Sequence, residues 1–170
     1  MELVDLGFDG GAHLDPFTAR AMRDTAADVI SLEVGLDVVA GDTLRRRTLG
    51  PALHGFLDAV REGHPDVPLL VVSALGHPDL EELPASATAH DVASGRLSLR
   101  ASREVVTGVL AQRAADDPQL FHLDGLDLFD PTGTAAGTED GTDGVVELDH
   151  HLLAERFARG LFAPGAPFAA

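Results

Sequence analysis

The chain has 170 residues, with 28 acidic residues against 12 basic ones, every one of them arginine, and a formal net charge of −16. That charge repels phosphate backbones and anionic headgroups, so neither nucleic acid nor a membrane surface is expected as a partner. The absence of cysteine removes disulfides, thiolate nucleophiles and Cys-ligated zinc together.

Apolar runs alternate with amphipathic segments along the chain, the pattern of parallel strands joined by crossover helices. Residues 2–6 (ELVDL) suit a short strand. Pro16 opens a helix to about Arg23 with Asp15 as its N-cap. DVISLEV, 28–34, reads as a second strand whose near-continuous apolar character fits one covered on both faces. Asp42 or Thr43 caps a helical stretch that Gly50-Pro51 interrupts and that resumes to Gly63, with Ala52, Leu53, Phe56, Leu57 and Val60 on one face. PLLVVSA, 68–74, is the third strand, and 75–95 reads as a long loop on the carboxyl side of the sheet. A helix from Leu97 to about Arg113 and a strand from Gln119 to Leu123 follow. Residues 130–144 form a polar loop, and Leu148 to Phe162 the closing helix. Residues 1–163 are thus expected as one domain, and 164–170 as a fraying tail.

Four stretches carry a likeness: the opening LGFDGGAHLD, DVISLEVGLDVV at 28–39, PLLVVSA and LDGLDLF. Together they resemble the actinobacterial branch of the SGNH/GDSL esterase family over most of the chain. The resemblance implies a three-layer α/β/α fold with a parallel sheet, a flavodoxin-like core lacking the family's first strand and helix. The nucleophilic serine of that family sits in a GDS-type turn after its first strand, a unit that this chain begins after. In the family that strand lies between the second and third. Its loss predicts either ELVDL pairing directly beside DVISLEV or a gap that another chain fills.

By the same resemblance Gly10 takes the position of the oxyanion-hole glycine, and Asp37 in Gly-Leu-Asp that of the oxyanion-hole asparagine. An ionised aspartate accepts hydrogen bonds and repels an oxyanion, so Asp37 serves there only if protonated; otherwise it accepts amide bonds in its own loop. The family's final Asp-x-x-His block corresponds to Asp143-Gly144-Val145-Val146, where valine stands in place of the histidine. His150 is the substitute base to weigh, three residues after Glu147, although helical geometry points it away from a cleft. Ser73, at the end of PLLVVSA with His77 four residues on, is the substitute nucleophile to weigh against a hydroxyl that satisfies loop amides.

His13 and Asp15, or Asp149, His150 and His151, offer metal-ligand types, but adjacent histidines on a helix diverge by about a hundred degrees. Neither Gly-rich stretch matches a phosphate-binding loop. No metal or cofactor is expected. The expected function is that of a divergent or truncated carboxylic-ester hydrolase relative, inactive or weakly active alone, with a small ester or acyl ligand. The alternative is a non-catalytic α/β binding or partner subunit, as a homo-oligomer or with a complementing chain. No basic leader or membrane-length apolar window is seen, so the cytoplasm is the expected location.

Overall fold

A computed structural model describes residues 2–7, 11–131, 150–163, 166 and 168. In chain order the elements are α1 (Pro16–Asp24), β1 (Ile30–Val34), α2 (Leu36–Ala40), α3 (Arg46–Gly63), β2 (Leu69–Ser73), α4 (Ala89–Ala93), α5 (Leu99–Arg113), β3 (Leu120–Leu123), α6 (Gly125–Leu128) and α7 (His150–Phe162). The three strands form one parallel sheet in the order β1-β2-β3.

Strand parity divides the core in two. Ile30, Val34, Leu69 and Val71 point to one face and pack with Ala19 of α1, Leu49, Leu53, Phe56, Leu57 and Val60 of α3, and Val106, Val109 and Leu110 of α5. Leu70 and Val72 point to the other, against Leu128 of α6 and Leu153, Phe157 and Leu161 of α7. Helices therefore cover both faces, which is why all five residues of β2 are buried. Burial rather than local propensity holds these elements together.

The reading of the second strand as apolar on both faces needs correction. Ser31 is exposed, and with Glu33 it occupies the alternate positions of β1, so only the parity of Ile30, Leu32 and Val34 is apolar. The strand also starts at Ile30, two residues later than expected. ELVDL forms no strand: residues 2–6 are unpaired, with Leu3 83% and Val4 54% exposed. Five residues, two of them acidic, gain nothing from an extended conformation unless a neighbouring edge supplies hydrogen bonds.

Helix α3 runs through Gly50-Pro51 without a break. Proline leaves the Arg47 carbonyl without its helical donor, but both residues lie on the exposed side, while Leu49 and Leu53 bury completely and hold the turn in register. The stretch 75–95 contains α4, capped by Thr88, whose hydroxyl accepts from the Asp91 amide at 3.2 Å. Helix α5 starts at Leu99, not Leu97, because the Ser98 hydroxyl accepts from the Ala101 amide at 3.2 Å and sets the N-cap there. Among the described residues no helix is long and apolar enough to cross a membrane. The polar loop beyond residue 131, the start of the closing helix at Leu148 and most of the tail lie outside the described residues.

Candidate active site

In an open parallel sheet, ligands bind beyond the carboxyl ends of the strands. Here those ends are Val34, Ser73 and Leu123, and each runs directly into a tight connection. At the first, Gly35 adopts φ 132°, and a Cβ there would meet Ala74 Cβ and Ser102 Oγ at 2.9 Å each. Only glycine combines that conformation with that approach. The sharp turn starts α2 at Leu36 and places Asp37 in its first turn. The Asp37 carboxylate then accepts a hydrogen bond from the Ala12 amide at 2.9 Å, tying the turn before α1 to the end of β1.

Beside it lies a residue that the sequence reading missed. Glu33 Oε1 is shut off from solvent and has no hydrogen-bond partner. Burial, reinforced by the neighbouring Asp37 carboxylate and only partly offset by the Leu36 amide, pushes the Glu33 carboxyl up to about 7. A single charged residue at an alternate strand position two residues before Gly35 was the available signal.

The second strand end is built around Ser73, which is fully buried. Its hydroxyl donates to Asp124 Oδ1 at 3.3 Å and accepts from the Gly125 amide at 3.1 Å, while Asp124 also caps α6 by accepting from the Leu126 amide at 3.1 Å. A Cβ on Gly125 would lie 2.2 Å from the Ser73 carbonyl oxygen, so the two strand ends meet through glycine backbone. Ser73 thus joins β2 to the turn after β3, and among the described residues no histidine bonds to it. Arg103 of α5, also buried, donates to the Ala74 carbonyl at 3.1 Å and pairs with Glu81, fixing the following loop.

His150 is exposed at the start of α7, and His151, 85% exposed, lies 3.8 Å from Glu155 one turn on. Neither is brought to Ser73 or Asp37. Gly10 and Asp143 lie outside the described residues. His13 Nδ1 is 3.2 Å from Thr43 Oγ1. No group of three or more His, Asp or Glu among the described residues is arranged to hold a metal ion.

Asp37→Asn keeps an acceptor for the Ala12 amide and removes the charge set against Glu33. Its expected stability change is under about 1 kcal/mol in urea unfolding. A loss of several kcal/mol would mean that the fold requires the ionised carboxylate.

Parallel strands with helices on both faces and Gly-led turns at the carboxyl ends make an α/β fold, and its likeness to solved structures makes it SGNH/GDSL-like. The chain superposes on a salicylyl-acyltransferase, SsfX3, from a tetracycline biosynthetic pathway with a TM-score of 0.72 and 30% identity, over 88% of this chain and 41% of that one. It also superposes on a protein assigned as a GDSL-like lipase from Bacteroides ovatus ATCC 8483, with a TM-score of 0.54 and 17% identity, over 88% of this chain and 38% of that one. The chain thus spans about two-fifths of the length of either structure. No protein-family model matches it, and no curated protein does.

Proposed function

We propose that this chain is a divergent relative of SGNH-type ester hydrolases and acyltransferases whose cleft holds a small ester or acyl group without turning it over unaided. The observation that carries this reading is the fate of the two polar groups best placed for chemistry. The Ser73 hydroxyl is buried between Asp124 and the Gly125 amide, and the Asp37 carboxylate is engaged by the Ala12 amide. A nucleophilic serine needs access to substrate and a base within hydrogen-bond reach; Ser73 is fully buried, and its acceptor is the weakly basic Asp124 carboxylate, which also caps α6. An oxyanion site needs donors, and an ionised Asp37 supplies only acceptors. The likeness to a salicylyl-acyltransferase supports acyl groups as the class of ligand.

The purified chain is expected to hydrolyse p-nitrophenyl acetate no faster than a mock-purified control, and Ser73→Ala and His150→Ala are expected to leave that background unchanged. Turnover that either substitution abolishes would place a working nucleophile or base where this reading puts none. A second reading, as a non-catalytic partner subunit, is favoured by the outer edge of β1, which no strand among the described residues pairs.

A further inference from the structure

Unlike Ser73, Thr43 is open to solvent and has an imidazole in reach. Two turns flanking α2 converge here: residues 11–15, which lead into α1, and residues 41–45, which lead into α3. Thr43 Oγ1 and His13 Nδ1 lie 3.2 Å apart, with Thr43 exposed and His13 half-buried. In the imidazole tautomer protonated at Nε2, the hydroxyl donates to Nδ1, which is the arrangement of a hydroxyl nucleophile and its general base.

Backbone contacts hold the pair in place. The Ala12 amide donates to Asp37 at 2.9 Å, and the next amide, of His13, donates to the Gly11 carbonyl at 2.9 Å. The Thr43 amide donates to the Val38 carbonyl at 3.2 Å. A Cβ on Gly41 would stand 3.2 Å from Thr43 Cγ2 and 3.4 Å from His13 Cε1, so glycine there leaves room for the two to close. Among the described residues, the two non-glycine residues with positive φ are Leu14 at 62° and Asp42 at 51°. They are the immediate neighbours of His13 and Thr43. Such conformations persist only where the surroundings over-determine them, and they gather at functional sites.

We infer that Thr43 is an acyl-accepting hydroxyl with His13 as its base. The inference rests on the reading of the chain as one that holds an ester or acyl group, and adds to it a covalent step. Thr43 Oγ1 attacks the carbonyl carbon of an aryl ester while its proton passes to His13 Nδ1. The bond from that carbon to the leaving oxygen then breaks, and His13 gives the proton to the departing phenolate. The products are a Thr43 ester and a free phenol, and no oxidant or reductant is consumed. Acylation expels a resonance-stabilised phenolate, whereas hydrolysis of the product has to expel the far more basic Thr43 alkoxide. The acyl group therefore stays on the chain, as a single event and not as turnover.

Incubation of the full chain with p-nitrophenyl acetate, read by intact mass and peptide mapping while p-nitrophenolate release is followed in parallel, tests the step. The chain has no lysine, which leaves the amino terminus as the competing amine. The expected result is a single acetyl at Thr43, an equal amount of p-nitrophenolate, and no steady release beyond the control. Thr43→Val is expected to abolish that adduct, Thr43→Ser to retain it, and His13→Ala to slow its formation at least about tenfold. Circular dichroism verifies the fold of each variant. Absence of acetyl at Thr43 in the wild type, with no steady release, overturns this inference and leaves the proposed function standing. An adduct that forms equally fast in His13→Ala also overturns it, because any exposed hydroxyl would then serve. Steady release without a Thr43 adduct overturns both.

Discussion

Glu33→Gln is expected to stabilise the fold at pH 8 by up to about 3 kcal/mol and to leave it nearly unchanged near pH 4. The folded protein holds the Glu33 proton until about pH 7, whereas the ordinary glutamate value is 4.5. Below the ordinary value the carboxyl is protonated in both states and contributes no difference. Between the two values the unfolded chain has released a proton that the folded chain still binds, so stability falls as pH rises. Above about 7 the whole penalty applies, because the folded state must bury an anion beside Asp37. Each tenfold difference in proton affinity between the folded and unfolded chain is worth about 1.4 kcal/mol, which sets the ceiling near about 3 kcal/mol. Glutamine is neutral and of the same shape, but its amide still needs a partner in that pocket, so the gain falls somewhat below the ceiling. Urea unfolding of both proteins from pH 4 to 8 reads the effect directly. Parallel profiles would mean that Glu33 ionises in the folded state without cost.

The second large effect lies at the opposite end of the sheet. Arg61, in the last turn of α3, pairs with Asp117 through Nε and Nη2 at 2.8 and 2.9 Å, and its Nη1 donates to the carbonyls of His64 and Val67 at 2.9 and 2.6 Å. Both side chains are only 12% exposed. One guanidinium therefore joins the end of α3, the turn leading into β2 and the turn leading into β3. Arg61→Ala leaves a buried carboxylate uncompensated and strips two carbonyls of their donor, and a loss of about 3–5 kcal/mol is expected. Arg61→Lys is expected to recover little, since an ammonium cannot present the planar fork that reaches both carboxylate oxygens and both carbonyls. Thermal or urea unfolding of the two variants is the measurement. A change under about 1 kcal/mol for Arg61→Ala would show that water replaces the clamp.

These two sites differ in what they ask of the chain. The Arg61 clamp links residues 56 positions apart and is purely architectural. Glu33 sits on β1 two residues before the Gly35 turn, where burial beside Asp37 makes its ionised form costly.

The sequence by itself determined those features that follow from short-range pattern. PLLVVSA, apolar at successive positions, reads as a strand covered on both faces, and Pro16 after Asp15 marks the start of α1. The turn Gly35-Leu36-Asp37 was legible as a strand end, because glycine followed by a short polar residue marks one. Tertiary structure alone decided the rest. Pro51 reads locally as a helix break, and the burial of Leu49 and Leu53 overrides it. ELVDL suits a short strand in length and composition, yet pairing depends on a neighbouring edge that no local pattern supplies. The role of Ser73 depended on Asp124, 51 residues away. Whether Glu33 was a solvated edge carboxylate or a buried one turned on what packs around it, since desolvation is a property of the three-dimensional surroundings and leaves no mark in the order of the residues.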